Sequence, residues 1–269
     1  MRITQFQETP LLQIPFLNAG KGHGIYYVDQ LPVHLGKLEN LPTGLDALIA
    51  TADLQGRETI QESSQGSLKL LGEVLPEKLC HNVLPSLNIS PARTGILLMG
   101  DFYTLPDLNN RGGTGDVIPV WQAFASHFRW VAGVAGNHDL YGDSFIPQKR
   151  FASNTYYLDG KSTELDGMTI AGIGGIIGNP IKPQRKTHEE FSSLANMLTK
   201  TKPDLLLLHD GPRGTKAGQR GSSVIQTAIA DLEPITILRG HSHWNEPFSE
   251  DENGTQILNL DCRVAILTR

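Results

Sequence analysis

Asp53 with Gln55, Asp101, Asn137 with His138, His209, and His241 with His243 share one placement: each closes a short apolar run. The runs are DALIATAD, GILLMGD, WVAGVAGN, DLLLLHD and PITILRGH. All of these side chains can bind metal ions. Imidazole nitrogen suits zinc, iron and manganese, whereas carboxylate and amide oxygens suit harder ions such as manganese and magnesium. A carboxylate has two oxygens and can bridge two ions roughly 3.5–4 Å apart, the spacing used for in-line displacement at phosphorus. Asp101, in the middle of the set, is the natural bridge. A hydroxide held between two such ions would be the nucleophile, because metal binding can lower the pKa of water to about 7. No Ser or Cys nucleophile is then needed. Singly, each residue has a plainer explanation: Asp53 as a helix cap, Asp101 as part of a Gly-Asp turn, His241 and His243 as ligands of one structural zinc. Five runs in succession ending this way are much harder to explain so.

The runs are short and almost unbroken, as expected of strands covered on both faces. Helical patterns lie between them. Thr187 and Glu190 form a capping box ahead of Phe191, Leu194 and Leu198. Asp116 caps a segment carrying Val120, Phe124 and Phe128, and Ser222 caps another with Ile225, Ile229 and Leu232. Pro76 is expected to split the 67–87 region into two shorter helices. STELDGMTIAGIGG and TQILNLDCRVAILTR read as further strands, with loops at 108–116, 178–186, 211–221 and 245–255. Alternating strands and helices predict an α/β fold, and sites in such folds form beyond the carboxyl ends of strands. GIGGIIG at 172–178 lacks the dinucleotide-loop spacing and precedes Asn179-Pro180, so it reads as a glycine-rich strand end near the site. Cys80 and His81, being neighbours on a helix, point apart and read as ordinary.

Composition bounds the rest. With 269 residues, 39% hydrophobic and 19% charged, the chain can bury a sizeable core and is neither a coiled coil nor disordered. Its two cysteines make no disulfide framework and fit a reducing compartment. No apolar run approaches the roughly 18 residues a spanning helix needs. The opening MRITQFQETPLLQ lacks the layout of a signal peptide, so a cytoplasmic location and no membrane partner are expected. A net charge of −5 makes long nucleic acid a poor partner. Residues 1–45, rich in Gly and Pro, read as a hairpin or an N-terminal extension of unknown role, and residues 46–269 as one domain.

The ordered set Asp53-x-Gln55, Gly100-Asp101, Gly136-Asn137-His138-Asp139, His209 and Gly240-His241-x-His243 resembles the signature of the calcineurin-like metallophosphoesterase superfamily. GNHD and GHxH together are specific. The resemblance implies two packed mixed β-sheets flanked by helices, a four-layer sandwich with two metals at the strand ends. It places Asp53, Gln55, Asp101 and His243 on the first metal, and Asp101, Asn137, His209 and His241 on the second. His138 would face the leaving oxygen as general acid or stabilising charge, with Asp139 orienting it. The implied activity is hydrolysis of a phosphomonoester or phosphodiester, as phosphatase or phosphodiesterase, on a small molecule or nucleotide. Gln55 departs from the pattern, which usually has His there. An amide oxygen is the harder and weaker ligand, so manganese is favoured, with iron, zinc and magnesium as alternatives, and the first metal should be labile. The same departure supports an alternative, a binding or scaffold protein that keeps the fold with weakened catalysis. Arg213, Lys216 and Arg220 on the loop after His209, and Arg57 after the first motif, are candidates for substrate phosphate contact.

Overall fold

The structure is a computed structural model that describes residues 1–20, 25–59, 68–142, 150–230 and 234–269. Leu232, expected on a helix stripe, lies outside the described residues. The chain forms β1 (Arg2–Phe6), β2 (Leu12–Ala19), β3 (Tyr26–Glu39), β4 (Ala47–Ala52), β5 (Thr94–Leu98), β6 (Trp130–Gly133) and β7 (Thr155–Tyr157). Then follow β8 (Lys161–Leu165), β9 (Met168–Ile173), β10 (Leu205–Leu208), β11 (Thr236–Arg239), β12 (Phe248–Glu250), β13 (Gln256–Asn259) and β14 (Arg263–Thr268). The helices are α1 (Leu71–Lys78), α2 (Ile118–His127), α3 (His188–Thr199) and α4 (Ser223–Ala228).

All five apolar runs become strands, and they fall into two mixed sheets. The first has the order β1-β3-β14-β4-β5-β6-β7, with β2 paired to β3, and the second the order β8-β9-β10-β11-β13-β12. β4, β5 and β6 run parallel, as do β9, β10, β11 and β13, so their carboxyl ends collect on common edges. Side-chain alternation along β4 shows how two layers are satisfied at once. Leu48, Ala50 and Ala52 face the space between the sheets with Leu205, Leu207, Leu238 and Leu258, while Ala47 and Ile49 face Leu71, Leu75, Val120 and Phe124 of α1 and α2. On the far side Phe191, Ala195 and Ile225 of α3 and α4 pack on Leu206, Leu208 and Ile237. The layers are helix, sheet, sheet, helix, the four-layer sandwich expected. No helix among the described residues is long and apolar enough to cross a membrane.

Residues 1–45, read from sequence as an extension or hairpin, supply β1–β3 to the first sheet. β3 pairs parallel with β14, and β1 and β2 pair antiparallel with β3. Leu31 and Val33 enter the helix-side core and Ile3 and Leu38 the inter-sheet core. Their periodicity reads weakly because β3 is 14 residues long, contains Pro32 and is buried only over its second half.

The helix expectations hold with adjustments. Thr187 and Glu190 close the capping box of α3 at 3.1 and 2.7 Å, and the Ser222 hydroxyl receives the Ile225 N–H at 3.3 Å. Asp116 receives the Ile118 N–H at 3.0 Å, one residue ahead of the formal cap. Pro76 does not split its region. α1 runs through it and changes winding at Leu79, where a π turn (Leu79–Val83) and a 3-10 turn (Leu84–Leu87) follow. Proline removes only one ladder bond, and the wider turn just beyond it absorbs the misfit.

Candidate metal centre

Three candidate ligands leave their strands through the left-handed region: Asp53 at φ 54°, Asp101 at 59° and His241 at 68°. A non-glycine residue there costs about 1–2 kcal/mol. The return is direction, since the turn swings the side chain back across the strand end. The surrounding glycines allow the loops to touch. A Cβ on Gly100 (φ 85°) would lie 2.0 Å from the Gly136 nitrogen, and one on Gly136 would lie 2.0 Å from Asp101 Oδ1.

The buried carboxylate of Asp139 locks this junction. It accepts the N–H groups of Asp101 at 2.9 Å, Phe102 at 2.9 Å and Gly136 at 2.8 Å. This corrects the expectation that Asp139 orients His138: its oxygens are spent on the backbone of the two metal loops. Burial, with the Asp101 charge beside it, raises its pKa to about 6. His138 is instead tied by its backbone N–H to Asp101 Oδ1 at 2.9 Å, and its half-buried ring has Nδ1 3.4 Å from Thr114 Oγ1.

His209 is fully buried, with Nδ1 2.7 Å from the Met99 carbonyl. That bond fixes the tautomer and turns Nε2 toward Asn137 Oδ1 at 3.1 Å and Asp101 Oδ2 at 3.5 Å. The His241 ring stands 5.1 Å from the His209 ring. Ligand atoms of Asp101, His209 and His241 all lie within 4.8 Å of one another. Asp53 lies beside this group, receiving the His241 N–H at 2.9 Å, and Gln55 Nε2 donates to Asp101 Oδ2 at 3.3 Å. The His243 side chain is 60% exposed, with Nδ1 2.8 Å from Asp261 Oδ2.

The electrostatics fit a cation. Burial, reinforced by Asp261 and Asp101, pushes the Asp53 carboxyl well above the usual carboxylate range. Burial would depress His209, yet the carboxylates of Asp101 and Asp53 outweigh it and raise its pKa to about 10. The pocket thus demands positive charge against its acids. Asp53, Asp101, Asn137, His209 and His241 offer the oxygen and nitrogen donors that a divalent ion takes.

Asp261 is the site residue that sequence reasoning missed. It is 4% exposed and follows β13 through the run ILNLD, the same apolar-run-then-Asp signal that marked Asp53 and Asp101. By holding His243 Nδ1 it leaves Nε2 available to a metal ion, the arrangement that sets ligand basicity in metal sites. Asp261→Asn is expected to weaken metal affinity by about 10–100-fold, read by competition with a fluorescent chelator. An unchanged affinity would make the pair merely structural.

The basic candidates divide. Arg57 is buried and donates to the carbonyls of Leu105 at 3.2 Å, Thr104 at 2.7 Å and Leu68, so it is a strut and is withdrawn as a phosphate ligand. Arg213, Lys216 and Arg220 line a cavity of about 960 Å³ with Asp251, Glu252 and Asn253, and none of the candidate ligands lines it. Lys216 pairs with Glu246, and the Arg220 carbonyl accepts from buried Arg239 and from Trp244 at 2.7 Å each. The glycine-rich end of β9 does lie near the site, with the Gly175 N–H on the Ala135 carbonyl at 2.7 Å.

The family model of calcineurin-like phosphoesterases matches residues 48–245. Among solved structures, the protein TT1561 of Thermus thermophilus is similar in fold, at 16% identity and a TM-score of 0.53, over 81% of this chain and 90% of that one. A protein of unknown function from Aquifex aeolicus, AQ665, matches at 15% identity and a TM-score of 0.34, over 81% and 89% of the two chains. No curated protein matches the chain.

Proposed function

The chain belongs to the calcineurin-like phosphoesterase family, and on that premise we propose that it hydrolyses a small phosphorylated substrate, a phosphomonoester or phosphodiester, in the cytoplasm and with two divalent ions. The observation that carries this reading is the convergence of Asp101, His209 and His241 within 4.8 Å, with Asn137 and Asp53 beside them. Asp101, Asn137, His209 and His241 would hold the second ion. Asp53, Gln55, Asp101 and His243 would hold the first. Bound divalent ions neutralise phosphoryl charge and bring a water toward ionisation near pH 7.

The protein supplies the rest. Asp139 keeps the two loops in register, so that the donors are arranged before substrate arrives. His138, anchored through its backbone to Asp101 and with Nδ1 near the Thr114 hydroxyl, would hold a proton for the leaving oxygen. Gln55, an oxygen donor where the family usually has nitrogen, favours manganese and makes the first ion the looser of the two.

The test is turnover of bis-(p-nitrophenyl) phosphate and p-nitrophenyl phosphate by metal-stripped protein titrated with manganese. Manganese-dependent release of nitrophenol is expected, and the preferred ester separates diester from monoester chemistry. Manganese binding with neither ester cleaved would instead favour the binding-protein alternative that rests on Gln55. Gln55→His is expected to retain the first ion better against chelation while changing turnover by less than about tenfold. A gain of a hundredfold would mean that the natural site is catalytically weakened.

A further inference from the structure

β3 does not stop at the level of the metal centre. Val264 pairs with both Thr51 on β4 and Val33 on β3. Asp53, two residues past Thr51, is therefore level with Leu31, and Tyr27 lies four residues farther, about 13 Å of strand at 3.3 Å per residue. β2 travels with it, Asn18 opposite Tyr27. The end of this hairpin is thus a two-stranded ribbon rising beside the site. It carries Ile25, Tyr26, Tyr27 and Val28, four of the seven large apolar side chains exposed among the described residues. Side chains alternate along the ribbon, so Tyr27 lies on one face and Tyr26 and Val28 on the other.

Two features make the ribbon a wall of the cleft. First, Tyr27 is held in place. Its hydroxyl donates to Asp29 Oδ2 at 3.3 Å, the same oxygen that receives Asn18 Nδ2 at 2.9 Å, and Asn18 is buried. Second, the 104–115 loop joins ribbon to site. Leu108 packs on Leu17 and Ala19 of β2, Gly112 lies against the Gln55 amide, and Thr114 reaches His138. Exposed Arg111 sits on this loop, between Leu108, which packs on the ribbon, and Gly112 and Thr114, which meet Gln55 and His138. Arg111 is thereby carried on the stretch of chain that spans ribbon and site.

We propose that Tyr27 and Arg111 form the specificity wall of the phosphoester cleft, Tyr27 stacking on a flat aromatic ring of the substrate and Arg111 contacting its phosphoryl oxygens. This rests on the phosphoesterase reading above. The chemistry follows from the parts: a fixed, half-exposed phenol offers a stacking face, and a guanidinium beside it offers paired donors for an anionic oxygen. An aryl group and a nucleobase share that flat ring, and two probes separate them.

The experiment is calorimetric binding of phenylphosphonate, adenosine monophosphate and methylphosphonate to the manganese-loaded protein. Phenylphosphonate or adenosine monophosphate should bind at least tenfold more tightly than methylphosphonate, and the tighter of the two identifies the ring. Tyr27→Ala should weaken that ligand by about tenfold, as loss of one stacking face does, while methylphosphonate stays within twofold and Tyr27→Phe keeps wild-type affinity. Arg111→Ala should weaken all three alike. Metal-dependent binding of all three with equal affinity, or equal losses in Tyr27→Ala, overturns the wall and leaves the phosphoesterase reading standing. Absence of any manganese-dependent binding overturns both. If Tyr27→Ala changes the sedimentation coefficient and no affinity, the ribbon is an interface between copies of the chain and the proposal falls.

Discussion

Asp101→Asn should cut manganese-dependent turnover by about a thousandfold or more and lower the manganese stoichiometry of the purified protein. In the assignment proposed above, Asp101 is the one residue shared by both ions. Its Oδ1 fixes the His138 backbone, and its Oδ2 faces Gln55 and His209. Asn keeps the shape and one oxygen to accept the His138 N–H, so the loop junction should survive. What it removes is the negative charge. Metal polarisation of a phosphoryl group supplies several kcal/mol of transition-state stabilisation, and at about 1.36 kcal/mol per decade a loss of that size spans three powers of ten. Manganese stoichiometry and melting temperature, measured on the same preparation, separate lost metal from lost fold. Retained metal with turnover within tenfold of wild type would place the shared ligand elsewhere.

His138→Ala is the complementary experiment, expected to lower kcat by about 10²–10⁴-fold with manganese stoichiometry unchanged. Among the described residues the half-buried ring makes one polar contact, Nδ1 at 3.4 Å from Thr114 Oγ1. Its structural tie is the backbone N–H, which alanine keeps. Proton delivery to the leaving oxygen should therefore disappear without disturbing the donors below. The loss should also be larger for esters with poor leaving groups, since p-nitrophenolate departs with little help from an acid. A uniform loss below tenfold would mean that another group carries that proton.

Much of the candidate site is local in sequence, and that is why it can be read there. A strand buried on both faces needs an unbroken apolar run, and a polar residue ending such a run announces itself without any knowledge of partners. Asp53, Asp101, Asn137, His209 and His241 are all legible by that rule. Asp261 obeys the same rule and escapes notice only because ILNLDCRVAILTR looks like one continuous strand. The chain in fact turns at Cys262 (φ 50°) and passes from the second sheet to the first. His138 and Asp139 are legible as a pair, though the role of Asp139 is not, because its three backbone partners come from two loops more than thirty residues apart.

Arg57 marks the limit most clearly. Beside a metal motif, an arginine reads as a phosphate ligand, and nothing within its own neighbourhood says otherwise. Leu105 and Thr104 decide it by bringing buried carbonyls that would be costly to leave unpaired. Residues 1–45 show the same limit on a larger scale, since a 14-residue strand buried over half its length carries no clean alternation. The candidate metal ligands and the strands that bear them can be read from the chain alone, because apolar burial and strand-end polarity are properties of a few consecutive residues. Which charges remain available to a substrate, and which ribbon rises beside the cleft, depend on the folded arrangement, because distant parts of the chain supply the carbonyls, packing faces and strand registers that settle them.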